Sequence, residues 1–378
     1  MRTKGAIIWG ADQPWSVDEI EIGEPRRGEV MVRMEAAALC RSDHHVVTGD
    51  VPDAVFPILG GHEGAGVITA VGIGVEDLTV GDHVVTSFLP SCGKCRSCQS
   101  GNRNLCDMEA GLLGGASISD GSFRVRSAGH DLYPMSLLGT FAPYAVIHQT
   151  SVVKIDPSIP FEVACLVGCG VTTGYGAAVH TADIRPGDDV AVIGAGGVGS
   201  AALQGARLSG ARRLFVVDPV EWKREQASQF GATHVYPDLE SAALGISAAT
   251  DGRMCKAVLV TVGKCDGREV EAWLQLAAKN ATCVIAGMGS SSASLATLDL
   301  SSLAMTQKIL RGSIFGGGNP HLDIPEVLAL YKLGELRIDD MVTREYRLEQ
   351  INEGYQDMVE NRNIRGVIRF TNSDRTNA

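Results

Sequence analysis

A chain of 378 residues is too long for one ordinary hydrophobic core, so two domains are expected. Its composition, 45% hydrophobic and 20% charged without a low-complexity tract, is that of a soluble globular protein. A formal net charge of -11 with scattered Lys and Arg excludes nucleic acid as a partner, since such binding needs a dense basic surface.

The N-terminal run up to Asp12 lacks the apolar centre of a secretory signal. A long uncharged stretch, 163–182, is broken by glycines, threonines and a histidine, and reads as core and not as a bilayer span. Ten cysteines without an export signal indicate thiols and metal instead of a disulfide framework, and hence the cytosol.

Up to about residue 150 the chain reads as short strands, clearest at 30–34, 66–71 and 83–87, separated by glycine and proline. No helical period is evident there, so this half is expected to be antiparallel or barrel-like. From about Asp188 the pattern changes. Apolar strands at 190–193, 214–217, 257–262 and 283–286 alternate with helical stretches at 198–209, 220–230 and 268–278. The run 309–315 can supply a sixth strand. Such alternation demands right-handed crossovers and a parallel sheet covered on both faces. Two further helices, near 325–333 and 348–361, and a strand at 367–370 do not extend that series and are assigned back to the first domain. The expected division is 1–170, 171–314 and 315–378.

Gly194-Ala-Gly196-Gly197-Val198-Gly199 follows a predicted strand and opens a predicted helix. In that setting the first glycine makes the tight turn, the second admits pyrophosphate, and the third packs helix on strand. The helix N-terminus favours the anion. Asp218 ends the next strand, where a carboxylate accepts the adenosine ribose hydroxyls and repels a 2′-phosphate, which favours NAD(H). A glycine-rich turn with a capping aspartate is the plainer alternative.

Cys92-Gly-Lys-Cys95-Arg-Ser-Cys98, with Cys106 beyond, is a C-x2-C-x2-C-x7-C run, the soft four-thiolate set of a closed tetrahedral zinc site. Bacterial iron–sulfur runs space the fourth cysteine at x3 and follow it with proline, whereas Asp107 follows here. Cys40, His62 and Cys169 could hold a second zinc with one position open. Such an ion takes bound water from a pKa of roughly 16 to about 7, and an alcohol so acidified can release hydride to nicotinamide. Taken singly, Cys40 and Cys169 could be small buried hydrophobes and His62 a core histidine. Cys165, Cys255, Cys265 and Cys283 fall on predicted strands or helix edges and are assigned no role.

The stretch Gly61-His-Glu-x2-Gly66-x5-Gly72-x2-Val75, together with the four-cysteine run, resembles the zinc-containing medium-chain alcohol dehydrogenases over nearly the whole chain. That resemblance implies an α/β architecture, a Rossmann domain joined to a GroES-like β-rich domain, with the active site in the cleft between them. It implies two zinc ions per subunit, NAD(H), a small alcohol or aldehyde substrate, no membrane, and a homo-oligomer, dimer or tetramer, built through sheet edges such as 309–315. Cys40, His62 and Cys169 match the catalytic zinc ligands, and Asp43 and Glu63 the carboxylates behind them. Ser42 and His45 match the proton path through the nicotinamide ribose. Arg41 and Arg365 match the arginines on the pyrophosphate, Lys223 a ribose contact, and Thr173 a residue near the nicotinamide. Phe88 and Phe141 resemble pocket walls, with core packing as the plainer reading. The long Gly- and Ser-rich segment 107–144, Phe141 in Gly-Thr-Phe-Ala-Pro-Tyr and Arg365 in Asn-Ile-Arg-Gly-Val look most like the actinobacterial nicotinoprotein branch, where NAD(H) stays bound and a nitrosoaniline-type acceptor reoxidises it. A thiol-dependent formaldehyde dehydrogenase is the neighbouring alternative, and a non-catalytic zinc- and nucleotide-binding protein the other.

Overall fold

Residues 29–38 carry Val, Met and Ala at most positions, a run suited to a strand covered on both faces. In the computed structural model, which describes residues 1–51, 53–112, 114–289 and 295–375, Glu29–Ala38 is such a strand, with only Arg33 and Glu35 partly exposed. It pairs antiparallel with Gly64–Val71, Tyr144–His148 and Arg365–Arg369 at the centre of a seven-stranded sheet. A six-stranded sheet built on Arg2–Ile8 and Ser16–Ile22 completes the β framework of this unit. The unit comprises Met1–Cys169, Asn319–Gly334 and Ile338–Ala378.

The register of the seven-stranded sheet explains where its chemistry lies. Ala37 pairs with Gly64, and Ala38 with Val367. The chain just after Ala38, just before Gly64, and at the start of Arg365–Arg369 therefore converges at one end of the sheet. Trp15, Met34, Phe141, Tyr346 and Tyr355 lie in the core cluster beside it.

One ion pair pins the segment that follows Cys106. Arg124 meets Glu29 with two parallel contacts, Nε to Oε2 at 2.8 Å and Nη2 to Oε1 at 2.8 Å. Ser119 donates to the same carboxylate at 2.5 Å, as does Ser117. Burial alone would raise the Glu29 pKa, but Arg124 and the two hydroxyls outweigh it and hold the carboxyl below its usual range.

The second unit, Gly170–Gly318 with Glu335–Arg337, holds six strands that are parallel throughout. Their order across the sheet is His234–Tyr236, Arg213–Val217, Asp189–Ile193, Cys255–Val260, Ala277–Ile285 and Ile309–Gly312. Chain order along that sheet is 3-2-1-4-5-6, the doubly wound arrangement whose ligand crevice opens between the first and fourth strands.

Several expected elements shift. Helices interrupt the first half after all, at Arg41–Val47 and Arg96–Gln99; both are short and polar enough to show no apolar period. The strand His234–Tyr236 and helix Leu239–Ala249 were not anticipated. The helix expected over 268–278 stops at Gln275, and the following strand starts at Ala277, well before 283. Ala277, Lys279 and Asn280 have no strand propensity of their own; Ala277 pairs with Cys255, and regular pairing resumes at Thr282 with Ala257 after a register irregularity. The strand at 309 closes at Gly312. Among the described residues no single helix is long and apolar enough to cross a membrane.

Replacing Arg124 with alanine leaves the Glu29 carboxylate buried without its cation, a loss of about 3–5 kcal/mol. The expected readout is a lower denaturant midpoint and earlier proteolysis within 107–124. Because Glu29 is held below its unfolded pKa, the pair contributes fully above the ordinary carboxylate range and fades as pH falls through the depressed value. Wild type and variant should therefore converge in acid.

Candidate active site

Cys40 takes an extended backbone (φ -123°, ψ 148°) as the residue that caps helix Arg41–Val47. This places its sulfur at the convergent end of the seven-stranded sheet. His62 and Glu63 arrive there through Gly61, whose φ of +88° few side chains tolerate. A Cβ on Gly61 would lie 2.5 Å from Thr140 Oγ1 and 2.6 Å from the Phe141 ring, so only glycine fits this turn. Cys169 closes the first unit. One donor atom from each of Cys40, His62, Glu63 and Cys169 lies within 4.8 Å of every other. The structure thus brings together all three expected ligands and adds Glu63 to them.

The electrostatics of the cluster divide it: Cys40 is drawn toward the thiolate, while Cys169, His62 and Glu63 are drawn toward their protonated forms. The Cys169 thiol, hydrogen-bonded to the Cys40 sulfur, holds Cys40 well below its ordinary range against the cost of burial. Burial works against charge on His62, yet Asp43 and Cys40 outweigh it and push the imidazole well above normal. Asp43 Oδ1 lies 3.1 Å from His62 Nδ1 and accepts the Gly61 N–H at 3.1 Å. That contact turns Nε2 toward the two sulfurs, the tautomer in which imidazole ligates metal. Burial also pushes Glu63 up, to about 8, while the neighbouring Arg365 guanidinium pulls it toward the charged form. Arg365 is buried, and its Nη2 meets both Glu63 and the Leu39 carbonyl, the latter at 3.2 Å. Its guanidinium is thus committed to Glu63, a pairing the sequence does not signal.

Two sulfurs, one imidazole nitrogen and a carboxylate within one such radius fit zinc by softness and by number. Cys92, Cys95, Cys98 and Cys106 fit it as well. Their sulfurs also group within 4.8 Å, with Cys92–Cys98 and Cys95–Cys106 each 3.9 Å apart. A tetrahedron of zinc–sulfur bonds near 2.3 Å has edges of about 3.8 Å. Backbone N–H groups of Lys94 and Cys95 point at Cys92 Sγ at 3.4 and 3.3 Å; they outweigh burial and bring that thiol down to about 7.

Other expected residues fall around the first cluster. Phe88 stands edge-on to His62, ring centres 6.0 Å apart. Phe141 is fully buried, edge-on to Trp15 at 5.6 Å and to Tyr355 at 6.4 Å, and packs in the core behind His62. Ser42 Oγ lies 3.7 Å from Cys40 Sγ. Arg41 and His45 share the helix Arg41–Val47; burial lowers the Arg41 pKa while Asp50 and Cys40 hold it up. Two groups went unmarked in the sequence. Asp50 Oδ2 lies 3.1 Å from His45 Nδ1. Tyr355 stacks on Trp15 at 5.3 Å and on His44 at 6.1 Å, and the Asp43 charge reinforces burial in keeping its phenol protonated. An aspartate on the turn just past a histidine-bearing helix is the one local cue for Asp50.

In the second unit the helix Gly197–Leu208 begins directly after Gly196. A Cβ on Gly199 would sit 1.8 Å from the Gly194 carbonyl, so helix and strand approach as only glycine permits. One on Gly196 would meet nothing within 4 Å, leaving the loop open on the side where a ligand would come. Asp218 Oδ2 accepts the Ala195 N–H at 2.8 Å, tying the end of the second strand to this loop. Lys223 lies buried on helix Glu221–Ala227, and Thr173 buried on Gly170–Gly176.

Asp43→Asn removes the anion that orients His62. It should weaken zinc at Cys40, His62 and Cys169 by about 10- to 100-fold, measured by competition with a chelator, while zinc on the four cysteines stays.

Comparison with known proteins is consistent with this geometry. Residues 26–157 match the family described as alcohol dehydrogenase GroES-like domain, and 197–332 the one described as zinc-binding dehydrogenase. Alcohol dehydrogenase B of Mycobacterium tuberculosis is 64% identical over 99% of this chain and 100% of its own. An NDMA-dependent alcohol dehydrogenase of Amycolatopsis methanolica is 44% identical over 97% of this chain and 99% of its own. Among solved structures, benzyl alcohol dehydrogenase from Acinetobacter calcoaceticus superposes with a TM-score of 0.91 at 28% identity, covering 98% of this chain and 100% of that one.

Proposed function

The chain belongs to the zinc-binding alcohol dehydrogenase family, and from that premise we propose that it oxidises alcohols to aldehydes or ketones with an NAD(H) that stays on the protein and is reoxidised by an external acceptor. The observation that carries the reading is the meeting of Cys40, His62 and Cys169, with Glu63, at one end of a sheet. Zinc held there would supply Lewis acidity toward an alcohol oxygen, and a nicotinamide cofactor would accept the hydride.

The chain's own residues do the rest. Asp43 fixes the His62 ring. Arg365 keeps Glu63 from standing as an uncompensated anion beside the sulfurs. The edge of Phe88 gives the site an apolar face that excludes water. Ser42 and His45 take the proton from the alcohol oxygen, a task that suits a hydroxyl and an imidazole in series. In the second unit, free N–H groups at the start of Gly197–Leu208 would hold pyrophosphate, Asp218 the adenosine ribose, and Lys223 a further ribose contact.

Retention of the cofactor is supported by the similarity to the NDMA-dependent enzyme of Amycolatopsis and by the long, pinned segment 107–144. Ten free cysteines suit a reducing, cytosolic setting. Self-association is supported by the open sheet edge Ile309–Gly312, beside which Leu300 and Met305 are 72% and 84% exposed.

His62→Ala should abolish alcohol oxidation and reduce bound zinc from two ions per chain to one, measured by elemental analysis beside a turnover assay. Full turnover in that variant sinks the ligand assignment. After exhaustive dialysis the wild type should oxidise alcohol with an added nitrosoaniline and no added NAD. A strict need for added NAD would instead assign an exchangeable cofactor.

A further inference from the structure

We propose that Asp50 is a positioning residue for His45, holding Nδ1–H of the imidazole so that Nε2 is the nitrogen that takes up and gives back the alcohol's proton. This deepens the function proposed above and rests on His45 being the proton carrier.

Four observations converge on it. His45 is buried, and Asp50 Oδ2 lies 3.1 Å from its Nδ1, with both side chains almost withdrawn from solvent. A neutral imidazole that donates from Nδ1 to a carboxylate is fixed in one tautomer, and a ring 3.1 Å from the acceptor is also fixed in rotation. Asp50 is itself held from two further sides. Its backbone N–H donates to the His45 carbonyl at 2.9 Å, closing the turn after the helix. Its Oδ2 also accepts from Thr48 Oγ1 at 2.9 Å. Finally, the Arg41 guanidinium, one helical turn before His45 on Arg41–Val47, interacts with the Asp50 charge, so the carboxylate has a cation beside it.

The arrangement suits a carrier and not a ligand. When Nε2 accepts a proton the ring becomes an imidazolium, with Nδ1–H still donated to Asp50, whose negative charge offsets the new positive one. When Nε2 releases that proton to solvent, the original tautomer returns without ring rotation. No bond other than N–H forms or breaks, and Asp50 stays ionised throughout. A buried histidine without such a carboxylate would populate both tautomers, and each return to the productive one would require a second exchange.

The test uses the full-length enzyme as purified. In wild type, 15N–1H correlation spectra of histidine-labelled protein should show His45 protonated at Nδ1 and not at Nε2. In Asp50→Asn the Nδ1–H preference should be lost, while the other histidine resonances and the zinc content stay in place. The same variant should lose about 10- to 100-fold in kcat, below the roughly 10²–10⁴ that an acid–base group itself supplies. KM for alcohol should move less than twofold, since Asp50 does not touch substrate. Free imidazole in the buffer should restore part of kcat by carrying the proton in place of His45. In a His45→Gln background the Asp50→Asn change should cost nothing further. An equal loss in both backgrounds, or an unchanged tautomer in Asp50→Asn, overturns the proposal and leaves the dehydrogenase reading standing. Undiminished turnover in His45→Gln alone overturns the carrier role of His45 and this inference with it.

Discussion

Two thiols, two carboxylates and an imidazole share one buried corner of this molecule, and the rest of the first unit is arranged so that they can. Ionised, Cys40, Cys169, Glu63 and Asp43 carry more negative charge than Arg365 alone offsets. Leaving such groups uncompensated in a low-dielectric interior costs several kcal/mol each. A divalent cation is the smallest addition that nearly restores balance while His62 stays neutral. The opposed shifts of Cys40 and Cys169 express the same demand without the ion: a proton shared between two sulfurs takes the place a metal would fill. The upward shifts of His62 and Glu63 belong to the same balance, protons standing where positive charge is needed.

The sheet explains why the corner can be so crowded with polar groups and still be ordered. Cys40, His62 and Glu63 are each anchored within a residue or two of a ladder hydrogen bond: Ala38 N–H to the Glu63 carbonyl, and Leu39 N–H to the Gly366 carbonyl, both at 2.9 Å. Asp43 is a single helical turn from the Cys40 cap. Behind these stand Trp15, Phe141 and Tyr355, large rings that leave the His62 turn no room to relax. Rigid backbone and packed aromatics hold these donors in one arrangement.

What could be read in the chain follows from how local each signal is. The four-cysteine loop and the glycine fingerprint are contiguous, so their spacing alone carries the chemistry. Cys40, His62 and Cys169 are far apart in sequence, and their donor types with the surrounding glycines were enough to group them. The partners that act through space left no mark. Nothing near Arg365 says that it faces Glu63, and nothing near Tyr355 says that it lies behind Asp43. Phe141 shows the converse: an aromatic beside a glycine-rich motif suggests a pocket wall, but a position with no exposure beside Trp15 makes it core. Among the elements, Ala277–Ile285 was misjudged because its first half carries no strand signal, and only Ala277 there is tied to the neighbouring strand before regular pairing begins at Thr282.

The two units solve recognition in opposite ways, and this bears on how each tolerates change. In the first, every contact with a would-be ion comes from a side chain, so one substitution deletes one ligand and leaves the fold to be judged separately. In the second, the N–H groups of the 194–199 loop are backbone, and no substitution can delete them. What a substitution can do there is alter their aim. Gly199 is the sensitive point, because any Cβ must push the Gly194 carbonyl aside and turn the whole loop. Asp218 is sensitive for a related reason: its carboxylate already holds the Ala195 N–H and the Val220 N–H, at 2.8 and 2.9 Å. A single side chain thereby both shapes the 194–199 loop and presents negative charge beside it. Exchanging Asp218 to accept a 2′-phosphate would therefore disturb the loop as well as the specificity, and a cofactor switch in this chain requires a second change that restores the bond to Ala195.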